Sequence, residues 1–175
     1  MKYFLGFILI YFFSGCSVKP ATSPSQAKVT QLTQQFVRLD RSVSYAEAQM
    51  LALDIFDYTT QLAQKYDLVS PPMFHNFLVN TGMREGGLCY QWSDALYEHL
   101  LAKKYPGFEF HLAVANEGEY WSEHNALVVV QKGGKAEEGI IVDPWRHSGK
   151  LFFTKFKEDP LYQWQHRLNR CRCKE

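Results

Sequence analysis

The strongest constraint on the fold is a change in the spacing of apolar residues near position 108. Before it, apolar residues recur about every 3.6 positions, as on one face of a helix, and after it they form the short runs typical of β-strands. Helices followed by a meander of strands predict an α+β fold with an antiparallel sheet. The predicted helices cover 29–39, 44–66, 73–79 and 89–104, and the predicted strands cover 108–114, 124–131, 139–143 and 151–156.

The longest predicted helix begins with a capping box. Ser44 and Glu47 have the spacing at which each side chain accepts a hydrogen bond from the backbone N–H of the other residue. The residues predicted to line its inner face are all large and apolar: Met50, Leu51, Leu53, Ile55, Phe56, Leu62 and Tyr66.

The first 28 residues differ in composition from the rest of the chain. Lys2 precedes an apolar run over 3–13, which is shorter than the roughly 20 residues that span a bilayer as a helix. The run has the character of the apolar part of a signal peptide, and it ends in Phe13-Ser14-Gly15-Cys16. Residues 17–28 are small, polar and rich in proline, which is typical of a flexible tether.

The segment Phe13-Ser14-Gly15-Cys16 resembles the lipobox of bacterial lipoproteins, although that pattern usually has Leu where Phe13 stands. The resemblance implies that residues 1–15 are a signal peptide, that Cys16 carries palmitate-type acyl chains, and that residues 16–28 tether the protein to a membrane. In a Gram-negative source, Ser17 in place of Asp implies the periplasmic face of the outer membrane. The other interpretation is an ordinary secretory signal in which Cys16 is incidental.

The remaining residues, 29–175, have the size of one domain. The 19 basic and 18 acidic residues nearly balance, so the clustered charge of a nucleic-acid-binding protein is missing. We expect a monomer without metal or cofactor. Cys171 and Cys173 could bridge each other, pair with a partner or bind metal, although two ligands alone are a weak metal site.

Cys89 has the sequence context of a reactive cysteine. It follows Gly86-Gly87-Leu88 and stands at the predicted start of a helix. The unsatisfied N–H groups and partial positive charge of a helix N-terminus favour a thiolate there and can stabilise an oxyanion. The glycines would let a substrate approach the backbone closely.

His124 and Asp143 are the candidate partners of Cys89. His124 begins one predicted strand and Asp143 ends the next. A tight turn at Gly133-Gly134 would place the two residues directly opposite each other, with their side chains on one face of the sheet. A longer loop over 132–139 could shift this register.

The order of these residues resembles the transglutaminase-like and papain-like cysteine enzymes. The resemblance is carried by Gly87-Leu88-Cys89-Tyr90-Gln91-Trp92, by Glu123-His124-Asn125-Ala126 and by Ile141-Val142-Asp143-Pro144-Trp145. It implies that Cys89 is the nucleophile, that His124 is the base, and that Asp143 orients His124. Papain-type enzymes take an oxyanion donor from a glutamine about six residues before the cysteine; Met83 stands there, and Gln91 and Asn80 are the candidates in its place.

Two functions follow as hypotheses. In the first, the chain is a membrane-anchored transglutaminase-like enzyme that acts on peptide or protein amides of the bacterial cell envelope, as a cysteine peptidase, amidase or acyltransferase. In the second, it is a non-catalytic envelope lipoprotein that uses the same fold as a binding or assembly module.

Overall fold

The computed structural model describes residues 25–168. The predicted signal peptide over 1–15, the predicted lipidation site Cys16, and Cys171 and Cys173 lie outside the described residues. Within 25–168, no helix combines the length and the apolar character needed to cross a bilayer.

All the predicted helices are present. They are α1 (Gln26–Val37), α2 (Tyr45–Lys65), α3 (Pro72–Asn80) and α4 (Cys89–Lys103). The first helix begins at Gln26 rather than at residue 29, because the Ser25 hydroxyl accepts a hydrogen bond from the backbone N–H of Lys28. Residues 26–28, which the sequence assigned to the tether, are therefore helical.

The long helix α2 departs from its prediction in two respects. Ser44 does accept a hydrogen bond from the backbone N–H of Glu47, but the Glu47 carboxylate accepts one from Gly107 at 2.8 Å instead of returning to Ser44. The predicted inner face was wrong for Met50 and Leu53, whose exposed fractions are 57% and 39%. The buried stripe follows the helical period more strictly and includes small residues: Ala48, Leu51, Ala52, Ile55, Phe56, Thr59, Leu62 and Ala63.

The C-terminal half forms one antiparallel sheet with the strand order β4-β3-β2-β1-β5. Its strands are β1 (Phe108–Ala115), β2 (His124–Gln131), β3 (Ile140–Asp143), β4 (Phe152–Lys155) and β5 (Gln165–Arg167). The predicted α+β class is therefore confirmed. The short, polar strand β5 has no apolar period, so the sequence did not indicate it.

Both faces of the central strand β2 are covered. The helices pack on one face through Leu127 and Val129, whereas Phe156 and Trp164 cover the other face over Ala126 and Val128. A strand that is buried on both faces is apolar throughout rather than alternating, as β2 is.

The register between β2 and β3 differs from the predicted one. Leu127 pairs with Val142 and Val129 with Ile140, and the same register carried one residue further sets Asp143 beside position 126 rather than 124. The connection is longer than a two-residue turn and contains a short 3-10 helix over Ala136–Glu138. Because the shift is an even number of residues, Asp143 stays on the same face of the sheet as His124.

Candidate active site

The backbone before Cys89 is held by side chains that the sequence did not single out. The fully buried His75 donates from Nε2 to the Gly86 carbonyl at 2.8 Å, and Trp92 donates from Nε1 to the Gly87 carbonyl at 3.0 Å. The ring of Tyr66 lies against Gly86. The double glycine is therefore packed against His75 and Tyr66, which corrects the expectation that it leaves room for a substrate.

Gln91 completes this turn. Its side-chain oxygen accepts hydrogen bonds from the backbone N–H groups of Gly87 at 2.8 Å and Leu88 at 3.0 Å. Gln91 thereby satisfies two of the donors that precede α4, and it fixes the direction in which the helix starts. The other oxyanion candidate, Asn80, is exposed at the end of α3 and makes no hydrogen bond with Cys89 or His124 in the structure of residues 25–168.

The predicted partners His124 and Asp143 are in direct contact. The His124 Nε2 atom and the Asp143 Oδ2 atom are 2.7 Å apart, and both side chains are almost completely buried. The other ring nitrogen, Nδ1, is buried and has no hydrogen bond of ordinary geometry within residues 25–168. Since Cys89 interacts with the His124 ring, Nδ1 is the nitrogen available to the thiol.

The charge on His124 is favoured by its neighbours. Burial disfavours the imidazolium, but Asp143, through its charge and hydrogen bond, outweighs burial and, together with Cys89, raises the pKa of His124 to about 9. Burial would likewise raise the pKa of Asp143, but His124 and Arg146 hold it below its ordinary value. The pair is therefore an imidazolium and a carboxylate at neutral pH.

Arg146 links this pair to the C-terminal segment. Its Nε donates to Asp143 Oδ2 at 2.9 Å, and its two terminal nitrogens donate to Asp159 at 3.0 and 2.6 Å. Burial opposes the charge of Asp159, yet Arg146 and the donors of Leu161 and Trp164 lower its pKa to about 2. Four alternating charges thus form one buried, hydrogen-bonded row in which each charge has a partner.

Three aromatic side chains surround the imidazole. The ring centroids of Trp145, Tyr162 and Trp164 lie 4.7, 4.6 and 5.4 Å from that of His124. Tyr162 and Trp164 come from the segment that Asp159 anchors. These rings exclude water from His124 and limit the orientations of its ring, which strengthens its interaction with Asp143.

The Cys89 thiol lies at the first residues of β2 and is partly exposed. It is a free cysteine, and its sulfur is 3.9 Å from the carbonyl oxygen of Glu123 and 3.8 Å from Nδ2 of Asn125. The structure therefore brings the three predicted residues, Cys89, His124 and Asp143, to one place.

The sequence missed most of the residues that support this site. Asn125 lies within the motif around His124, and Arg146 directly follows the motif around Asp143. Their closeness to these motifs along the chain was the one sequence signal that could have indicated them. His75 and Asp159 lie far away along the chain and carried no such signal.

Two shallow surface depressions lie away from this site, one lined by α4 and β1 and the other by α1, β3 and β4. Within 25–168, no three His, Cys, Asp or Glu side chains are grouped as metal ligands.

No family model, curated protein or solved structure matches this chain. The arrangement of the site itself must therefore support any assignment of function.

We predict that Gly87→Ala destabilises the protein by about 2–4 kcal/mol, because Gly87 has a φ of +118° and an added Cβ would lie 2.3 Å from Nε2 of His75. Gly118→Ala is the matched control, since Gly118 also has a positive φ, +84°, but open space around its Cβ position. Only backbone strain of about 1 kcal/mol is expected there. Urea denaturation measures both free energies of unfolding, and equal losses would contradict the packing of His75 against Gly87.

We predict that His124 stabilises the fold in a pH-dependent way. Because its pKa is raised from 6.5 to about 9, its contribution is complete below pH 6.5 and is lost as the pH rises through about 9. The loss is on the order of 3 kcal/mol. Chemical denaturation between pH 6 and 10 should show this decline in the wild type and in the exposed-residue control His147→Gln, but not in His124→Gln. Parallel curves for the wild type and His124→Gln would refute the prediction.

Proposed function

We propose that this protein is a transglutaminase-like cysteine hydrolase or acyltransferase that acts on amide or peptide bonds. The observation that carries the proposal is the contact of His124 with Asp143 at 2.7 Å, together with the free thiol of Cys89, which lies at the start of β2 and interacts with the His124 side chain. A nucleophile, a base and a group that orients the base are the parts that covalent catalysis requires.

The proposed reaction has two steps. The Cys89 sulfur attacks the substrate carbonyl while its proton resides on His124, so that a C–S bond forms and the carbonyl π electrons move to oxygen. His124 then protonates the departing amine, the C–N bond breaks, and a thioester remains. In the second step His124 takes a proton from water or from an acceptor amine, which attacks the thioester and releases the sulfur.

The surroundings of His124 suit these proton transfers. A pKa of about 9 keeps the imidazole protonated at neutral pH until the leaving group takes the proton. Asp143 fixes the ring through Nε2 and stabilises its charge. The order of elements also supports the transglutaminase-like assignment, since Cys89 begins α4, His124 begins β2 and Asp143 ends β3.

The N-terminal residues give this proposal a location. Cys16 ends a lipobox-like segment and is followed by Pro-rich residues. We place the enzyme on a bacterial membrane, on the periplasmic side of the outer membrane if the source is Gram-negative, with envelope peptides or proteins as substrates.

A second candidate function is a non-catalytic envelope binding module. Tyr120 and Trp121, in the loop between β1 and β2, have exposed fractions of 85% and 83%. They form an edge-to-face pair at 5.0 Å, and exposed aromatic pairs of this kind are common in binding surfaces. The loop ends at Glu123 beside the thiol, so such a surface would also suit an enzyme that binds a macromolecular substrate.

We predict that Cys89 is alkylated by iodoacetamide at pH 7 about ten times faster than free cysteine, because the positive charge of His124 stabilises the negative charge on the attacking sulfur. The measurement uses the full chain with Cys16→Ser, Cys171→Ser and Cys173→Ser, so that Cys89 is the single thiol. His124→Ala should bring the rate close to that of free cysteine, and Asp143→Asn should lower it in part. Hydroxylamine added with a candidate substrate would trap the thioester as a hydroxamate.

The control variant for this experiment is His147→Gln, which removes an exposed imidazole outside the site. It should react like the parent protein. A thiol that reacts no faster than free cysteine and is indifferent to His124→Ala would rule out the enzyme and favour the binding module. In that case Cys89→Ser would leave the function intact, and Trp121→Ala would abolish it.

We predict that bacterial cells expressing the chain incorporate labelled palmitate into it, and that Cys16→Ala abolishes the label and releases the protein from membranes. Two or more acyl chains hold a protein firmly, whereas a single chain does so only marginally. Cys89→Ser is the control and should retain the label. Label that persists in Cys16→Ala would contradict lipidation at this residue.

A further inference from the structure

The proposed reaction needs a second oxyanion donor. When sulfur attacks an amide carbonyl, negative charge develops on the oxygen, and preorganised N–H donors at about 2.7–3.1 Å from it lower the barrier. The backbone N–H of Cys89 is one donor, since the first N–H groups of a helix have no intrahelical acceptor. The side-chain oxygen of Gln91 accepts hydrogen bonds from the preceding turn, and Asn80 makes no hydrogen bond with Cys89 or His124 within residues 25–168.

Asn125 has the required placement. It follows His124 in β2 and is 6% exposed, so its amide is held inside the protein. By the alternation of the strand it shares the face of Leu127 and Val129, on which the helices pack. Its Nδ2 atom is 3.8 Å from the Cys89 sulfur, too long for a strong hydrogen bond but suitable for an oxygen bound next to that sulfur.

The orientation of this amide is determined by a second buried contact. Asn125 Oδ1 is hydrogen-bonded to Nη1 of Arg167 in β5. Arginine can only donate, so the atom that faces it must be the oxygen, and the NH₂ group must face Cys89. Glu123 fixes the guanidinium through a 2.9 Å bond to Nη1 and lies 3.4 Å from Asn125 Nδ2.

We infer that Asn125 is a catalytic residue that donates from Nδ2 to the oxyanion, opposite the backbone N–H of Cys89, and that Arg167 is the positioning residue that holds its amide in this orientation. This inference rests on the proposed function of Cys89 and His124. It assigns a task to strand β5, which pairs with β1 on the side away from β2, so that the Arg167 side chain reaches across β1 to Asn125.

The test compares two reactions of the same sulfur. With p-nitrophenyl acetate, the thiolate forms a C–S bond, the carbonyl electrons pass through an oxyanion, and p-nitrophenolate leaves as the C–O bond breaks. With iodoacetamide, sulfur displaces iodide from a methylene carbon and no oxyanion forms. An oxyanion donor therefore affects the first rate alone, whereas a change in the state or accessibility of the thiol affects both.

The experiment measures the ratio of single-turnover acylation to alkylation in the full chain with Cys89 as the single thiol. Asn125→Asp keeps the size of the side chain and the acceptor for Arg167 but removes the donor, and the ratio should fall about 100-fold or more. Asn125→Ala should give a similar loss. Arg167→Met, which frees the amide to turn, should lower the ratio less, and Arg167→Lys, which retains a donor to Oδ1, should restore most of it.

The outcomes separate this inference from the proposed function. If alkylation remains fast and dependent on His124 while both Asn125 variants leave the ratio unchanged, Asn125 is not the donor and the triad stands. If acylation and alkylation fall together, Asn125 acts on the thiol rather than on the oxyanion, and the inference is overturned. If wild-type acylation is no faster than that of free cysteine, both the inference and the proposed enzyme fail.

Discussion

The structure around the site depends on the burial of the Asp143 carboxylate. A charge removed from water is destabilising unless it is neutralised and hydrogen-bonded, and Asp143 accepts bonds from His124, from the side chain of Arg146 and from the backbone N–H groups of Trp145 and Arg146. These partners surround the Asp143 carboxylate because β3 ends at Asp143 and the chain then turns back over it. The orientation of the imidazole, the position of the guanidinium and the path of the C-terminal segment follow from this one group.

The charged row and the aromatic rings form a single unit. Arg146 binds Asp143 and Asp159, and its guanidinium also stacks on Phe152 at 3.9 Å and on Tyr162 at 4.7 Å. A change at Arg146 would therefore disturb both Asp143, which orients His124, and the rings that exclude water from His124. On the other side of the thiol, Glu123 and Arg167 hold Asn125 in the same manner. The thiol thus lies between two preorganised polar networks. Such networks are common at functional sites, whereas in a purely structural core the burial of so many polar groups would be destabilising.

Local signals predicted the elements well and their contacts less well. The spacing of the apolar residues located each helix and the strands β1 to β4, since burial of one face imposes a period and burial of both faces gives a short apolar run. It failed for Met50 and Leu53, because being apolar does not decide which face a helix buries. It also missed β5, whose three residues join the sheet through backbone pairing with β1 and through the side chain of Arg167, contacts that leave no trace in local sequence.

The sequence by itself determined the kinds of groups at the site and the elements that carry them: Cys89 after a double glycine, His124 at the start of a strand, and Asp143 at the end of the next. Only the tertiary structure decided how they meet, because the register of β2 and β3 depends on the 132–139 connection and on the packing of Gly139 against Val128 and Val130. The tertiary structure likewise brought His75 into contact with the turn before Cys89. It also brought Asp159 to Arg146 and Arg167 to Asn125. Such contacts join residues that are distant along the chain, so they exist only once the chain has folded.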